Sequence, residues 1–204
     1  MNLFSVSSRQ WAVGSKQLIS KAEVSDVTAL NFLINSAYRG ENSKAGWTTE
    51  ADMLGGQRTD EEDLKTIISK PDCTFLKYTN EGGEIIGCVR LEKHSEKMYL
   101  GMLTVLPTLQ NAGIGKQLMH ASEQFAKEQN CKSVYMQVIY GRNELVEWYE
   151  RQGYSDTGER KPFPMSDPRF GIPKKELEFI IMEKQIAHPS LPKGRLTNTH
   201  AFDD

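Results

Sequence analysis

The apolar positions of this chain change period several times, and each change marks a predicted element. Residues 17–22 look like a short strand. Val27, Leu30, Ile34, Ala37 and Tyr38 then recur at helical spacing, with Ser25 as N-cap and Asp26 in the first turn. Residues 39–45 are polar around Gly40 and read as a loop. Thr49 to Asp52 and Thr59 to Glu62 both fit capping boxes. The first predicts a short helix ending at Gly55 and Gly56, the second a helix that buries Leu64, Ile67 and Ile68. The acidic run 60–63 then sits at the positive end of a helix dipole and needs no chemical role. Residues 73–79, 84–91 and 97–106 are strand-like, with a hairpin turn at 80–83 and a stop at Pro107. Ile114, Leu118, Ala121, Ser122 and Phe125 form one face of a helix over 113–129. A strand (133–140), a helix (143–152, closed by Gly153), a strand (154–160), a Pro-rich loop (162–173) and a last strand (176–184) complete the order β-αα-β-β-β-α-β-α-β-β. That order predicts an α/β domain, a mixed sheet with helices on both faces, over 17–186. Residues 1–16 read as an N-terminal arm and 187–204 as a polar, flexible C-terminal tail.

Composition narrows the function classes. A net charge of -2 over 204 residues gives no reason to expect nucleic acid or an anionic membrane as partner. No apolar run approaches the roughly 20 residues that span a bilayer. The start lacks a basic segment followed by a long apolar block, so a cytoplasmic location is expected. Cys73, Cys88 and Cys131 are odd in number and widely spaced, which predicts free packing thiols. His94, His120, His188 and His200 show no metal-ligand spacing, and no metal is expected.

The most chemical stretch runs from Tyr99 to Lys116, where an apolar strand enters a Gly-containing turn that opens the 113–129 helix. Backbone amides and the positive end of a helix dipole converge there, which is a phosphate site without need of a cationic side chain. Two nucleotide patterns fail. Gly115-Lys116 is followed by Gln117 and preceded five positions earlier by Gln110, so it is no Walker loop. Gly113-x-Gly115 is followed by Leu118 where a dinucleotide fold needs a small residue, which disfavours a nicotinamide-dependent oxidoreductase.

What remains is Gln110-x-x-Gly113-x-Gly115, which resembles the acyl-coenzyme A pyrophosphate loop of the GNAT (GCN5-related) N-acetyltransferases. Asn143, the Trp148-Tyr149 pair and Gly153-Tyr154 resemble the second motif of that family, and the element order also matches over about 17–186. The resemblance implies a mixed, mainly antiparallel sheet of about seven strands that splits to admit acetyl-coenzyme A. It places the pyrophosphate on the backbone of Gln110, Asn111, Ala112, Gly113, Ile114, Gly115 and Lys116, and the pantetheine arm along main-chain groups of Leu103 and Val105. The Leu103 amide is placed to stabilise the oxyanion formed when an amine attacks the thioester. Asn143 resembles the family residue near the pantetheine and also suits an N-cap.

Tyr149 is the expected general acid. The departing thiol has a pKa of about 8.5 and a phenol about 10, so a tyrosine can protonate the thiolate. Glu92, just past the strand 84–91, is the candidate base, acting directly or through water; many members of the family it resembles carry a Glu on the strand before the loop, and Leu100-Gly101-Met102 has none. The family resemblance locates the acceptor between residues 38–58 and 159–172, where Tyr38, Arg39, Trp47 and Arg58 stand out, with Arg58 suited to grip a carboxylate. The expected activity is acetyl transfer to a primary amine, small-molecule in type, by direct attack in a ternary complex. The rival is a non-catalytic acyl-coenzyme A sensor on the same fold. The oligomeric state is open, a homodimer included.

Overall fold

The computed structural model describes residues 11–13, 17–167 and 171–186. Residues 1–10 of the expected arm, 168–170 of the acceptor loop and the whole 187–204 tail lie outside the described residues. In chain order the elements are β1 (Trp11–Val13), β2 (Gln17–Lys21), α1 (Val27–Tyr38), α2 (Gly40–Ser43), β3 (Leu54–Gly55), α3 (Glu61–Ile68), β4 (Cys73–Thr79), β5 (Ile85–His94) and β6 (Lys97–Val105). Then follow α4 (Ile114–Glu128), β7 (Ser133–Ile139), α5 (Asn143–Arg151), β8 (Ser155–Pro162), β9 (Ile172–Pro173) and β10 (Glu178–Gln185). The main sheet runs β1-β2-β4-β5-β6-β7-β10-β8, and β3 pairs with β9 in a separate two-stranded ribbon. All pairings are antiparallel except β6 with β7.

Several local details differ from the sequence reading. Within the expected loop 39–45, Gly40–Ser43 form α2, closed by the Lys44 and Ala45 amides on the Glu41 and Asn42 carbonyls, and the end of the expected Pro-rich loop pairs with Leu54–Gly55 as β9. Part of the expected arm is β1, which pairs with β2 and makes an eighth strand beside the seven expected. Helix α1 is preceded by a 3-10 turn at Val24–Asp26, where Glu23 and Asp26 form a capping box, so Ser25 is not the cap. Asp26 accepts from the Glu23 amide at 2.8 Å, and the reciprocal pair satisfies two orphan donors at once. At α3 the cap is Asp60, which accepts from the Asp63 amide at 2.8 Å, while Thr59 donates to the Asp63 carboxylate. The short helix expected after Thr49 is absent. Thr49 spends its hydroxyl on Ser43 and the Ala51 amide, and Leu54 is drawn into a buried cluster with Ile139, Phe163 and Leu177. Tertiary burial outweighs a weak local helix signal there.

Two apolar layers hold the sheet. On one face α1 and α3 bury Leu30, Leu33, Ile34, Leu64 and Ile67 against Phe75, Cys88 and Met102. On the other, Leu118, Met119, Phe125 and Ala126 of α4 pack with Leu76, Val89, Leu91 and Leu100, and Tyr149 of α5 joins them. All three cysteines are buried and outside any disulfide among the described residues. Among the described residues no helix is long and apolar enough to cross a membrane.

Leu118 is fully buried, and a Cβ on Gly87 of β5 would meet it at 3.1 Å. Helix and sheet are thus closely fitted at this point. Leu118→Ala is expected to lower stability by about 2–5 kcal/mol, read as a fall in the midpoint of urea unfolding with an unchanged slope.

Candidate active site

The site begins where β6 and β7 part. Their parallel pairing covers three residue pairs, from Lys97 with Ser133 to Tyr99 with Tyr135. Past Tyr99 the register of β6 against β5 slips, with Arg90 opposite Gly101 but Cys88 opposite Thr104. The extra residue is a β-bulge, and Met102 within it takes a φ of 48°. A bulge bends its strand and sharpens the twist, and β6 leaves β7 at that point. Residues 101–105 therefore present one edge without a strand partner, facing a cavity of about 370 Å³.

The far end of the cavity is the start of α4. Gly113 holds the N-cap with a φ of 80°, a conformation open to glycine, and no side chain caps the helix. The first amides of α4 remain available to a ligand. Asn111, Gly113, Gly115 and Lys116 line the cavity there, and Gly115 lies 3.5 Å from Trp148 as judged from an added Cβ.

Gln110 lines the cavity but its side chain works as a clamp. Its Oε1 accepts from the Trp47 amide at 2.9 Å, and its Nε2 donates to Thr48 Oγ1 at 2.8 Å. Gly46 is needed beneath it, because a Cβ there would lie 2.6 Å from Gln110. Segment 46–48 is thereby fastened to the turn before α4. Trp47 comes to rest 6.3 Å from Trp148, ring centre to ring centre.

Tyrosines gather at the middle. Tyr149 is 7% exposed and stands edge-on to Trp148 and Tyr154. It lines the cavity, and burial drives its phenol well above the usual tyrosine range. Tyr38 donates its hydroxyl to the Leu103 carbonyl at 3.0 Å, and burial, aided by Glu50, pushes its pKa up to about 12. Tyr99 is also raised by burial, and its ring covers Gly101, leaving no room for a side chain there.

A charged cluster that the sequence reading missed closes the near end. Arg39 pairs with Glu50 at 2.5 Å, and Arg142 reaches the other Glu50 oxygen at 3.6 Å. Both arginine side chains are about 5% exposed or less. Glu50 lay within a segment read as a helix cap, and Arg142 sits directly before Asn143 of the second motif. That adjacency was the one available signal.

Of the residues expected at the site, Tyr38, Trp47, Arg58, Leu103, Val105, Gln110, Asn111, Gly113, Gly115, Lys116 and Tyr149 all line the cavity. Four do not. Ala112 is exposed and off the cavity wall, and Ile114 is buried in the core against Gly87. Asn143 is exposed as the first residue of α5, with Arg142 at the cap position. Glu92 pairs with Arg90 and lies 3.5 Å from His94 Nε2. Burial raises its carboxyl, but Arg90 and His94 outweigh this and hold it below the usual range. Among the described residues no cluster of three His, Cys, Asp or Glu forms a metal site.

Residues 33–154 match the Acetyltransferase (GNAT) family. The chain belongs to that family of acetyltransferases. N-alpha-acetyltransferase 30 of Dictyostelium discoideum is 28% identical over 89 residues, which is 42% of this chain and 47% of that protein. The chain thus spans about half the length of the curated relative it matches. The ribosomal-protein-S18-alanine N-acetyltransferase of Escherichia coli shares the fold with a TM-score of 0.62 at 15% identity, covering 85% of this chain and 96% of that one. Ard1 of Thermoplasma volcanium gives 0.63 at 18% identity, with 85% and 100% covered. The divided sheet and the uncapped α4 are therefore parts of a GNAT acetyltransferase fold.

The clamp carries a direct expectation. Gln110→Ala removes the hydrogen-bond partners of Trp47 and Thr48 and is expected to cost about 1–3 kcal/mol. Hydrogen exchange at the Trp47 amide should accelerate far more than at core amides of β5. Equal protection in the variant would rule the clamp out.

Proposed function

We propose that this protein is an N-acetyltransferase that moves an acetyl group from acetyl-coenzyme A to the primary amine of a small molecule, directly and within a ternary complex. The observation that carries the reading is the unpartnered edge of β6 between the uncapped start of α4 and the Tyr149 phenol. A strand edge can be extended by a ligand that offers alternating donors and acceptors. The main chain of Leu103 and Val105 holds the pantetheine arm in this way. Amides of Asn111, Gly113, Gly115 and Lys116 hold the pyrophosphate, with the Lys116 side chain adding charge. Direct transfer is supported by the cavity wall, where the described residues include no cysteine, serine or histidine to accept the acetyl group.

The bound donor supplies a thioester carbonyl for attack. The Leu103 amide stabilises the negative charge that develops on that oxygen. Tyr38, through its hydrogen bond to the Leu103 carbonyl, keeps the strand in place. Tyr149 gives its proton to the departing sulfur. The base role expected for Glu92 is not carried forward, since that residue is off the wall and ion-paired. Glu50 is the carboxylate on the wall among the described residues, and its oxygens face Arg39 and Arg142. We assign loss of the amine proton to solvent.

A second reading, acetylation of a protein's N-terminal α-amine, is favoured by the names of two of the relatives above, the N-alpha-acetyltransferase and the ribosomal-protein alanine N-acetyltransferase. Release of free thiol from acetyl-coenzyme A, followed across amines, amino acids, polyamines and peptides, separates the two. Binding of acetyl-coenzyme A without release in any arm would support the sensor reading instead.

Two outcomes are expected with a competent acceptor. Tyr149→Phe should lower kcat by about 100-fold or more, and an unchanged kcat removes Tyr149 as the acid. The rate should also rise with pH, because only the neutral amine attacks. Tyr149 acts in its protonated form, and a raised pKa keeps it protonated. So kcat/KM should climb to a plateau set by the acceptor's own pKa and show no descending limb below pH 10, where a free phenol ionises. A fall near pH 9 would contradict the assignment.

A further inference from the structure

The wall of the cavity is unevenly charged. Among the described residues it carries Arg39, Arg58, Arg142 and Lys116 against Glu50 alone. Lys116 belongs to the phosphate turn, so three guanidiniums and one carboxylate remain on the acceptor side. Arg39 takes one Glu50 oxygen at 2.5 Å. Arg142 is less well served. Its approach to Glu50 is 3.6 Å and its Nε lies 3.7 Å from Glu144, whose side chain is more than half exposed. Both separations exceed hydrogen-bonding distance. Its Nη2 is buried without a hydrogen-bond partner among the described residues. A guanidinium held in a fixed place, 96% buried and short of acceptors, is costly unless something supplies them.

The position of Arg142 says what that is. It precedes α5 and lines the same cavity as Tyr149 and Tyr38, and its charge opposes the rise in both phenols. Arg58 lines the same cavity, over the Tyr38 ring at 5.6 Å, with its backbone amide held by Asn35 at 2.8 Å, and its charge too opposes the rise in the Tyr38 phenol. The phosphates of the donor are accommodated at the start of α4, so this charge is directed at the second substrate. A planar fork of donors suits a carboxylate.

Resting on the transferase reading, we propose that the acceptor carries a free carboxylate close to its amine, in the manner of an amino acid, and that Arg142 together with Arg58 receives it. Pairing the carboxylate at Arg142 completes the donors left open around Glu50. It also turns the amine toward the cavity centre, where Leu103 and Tyr149 lie. An amine lacking the carboxylate leaves Arg142 as it stands and loses both effects.

The test uses matched acceptors: free amino acids, their carboxamides, and the corresponding decarboxylated amines. The full chain should show kcat/KM at least about 100-fold higher for the acid than for its carboxamide. Arg142→Gln should bring that ratio close to one, and Arg142→Lys should keep part of it. The ratio compares two substrates on one enzyme, so a general loss of folded protein does not move it. A carboxamide that matches its acid, or a ratio unchanged in Arg142→Gln, overturns the proposal. A second readout needs no turnover. Calorimetric titration of the coenzyme A-loaded protein with N-acetyl amino acids and their carboxamides should favour the acids by at least tenfold in Kd. Equal binding overturns the subsite. Acid preference in binding without any acetyl transfer would keep the subsite and remove the transferase reading.

Discussion

The parallel pairing of β6 and β7 stops after three residue pairs, and the cavity depends on that stop. A strand in the middle of a sheet normally has both edges satisfied, because an unpaired buried backbone group is costly. Here β5 holds one edge of β6 along its length while β10 holds β7 through seven pairs. Each strand is thus anchored from its outer side, and the inner edges are free to diverge. The bulge at Met102 makes the divergence. It is seated by burial of Met102 among the residues under α1.

Three contacts tie the rest of the site to that opening. Tyr38, at the end of α1, reaches the Leu103 carbonyl. Gln110 fastens segment 46–48 to the turn before α4. Glu50 bridges Arg39, after α1, and Arg142, before α5. The walls of the cavity are therefore linked by hydrogen bonds and ion pairs, and a shift of one side is felt by the other. These polar links are buried or half-buried, where the attraction is stronger than at the surface, desolvation offsets it, and a missing partner is costly.

Much of the cavity wall around α4 and α5 was legible in the chain. Gly113 and Gly115 after an apolar strand, and Tyr149 before Gly153 and Tyr154, are local patterns whose spacing survives folding. The charged end of the cavity was less so. Glu50 looked like part of a helix cap, and its Thr49 neighbour does cap locally, but by a turn and not a helix. Glu92 looked available because it ends a strand. Which neighbours a strand residue meets depends on the adjacent strands and helices, and here they are Arg90 and His94. Arg142 was adjacent to a recognised motif and still overlooked, since one arginine in a row of polar residues carries no period.

The sequence by itself determined the elements that rest on repeated apolar spacing, the turn that leaves α4 uncapped, and the tyrosine placed one helix later. Such features are short-range, set by backbone sterics and by burial along one strand or helix face. The tertiary structure alone decided how far β6 and β7 stay paired, that Gln110 clamps a loop more than 60 residues away, and that Arg39, Glu50 and Arg142 share one buried cluster. Those arrangements join segments distant in the chain. Their energies arise from desolvation and charge pairing in three dimensions, and no local pattern encodes them.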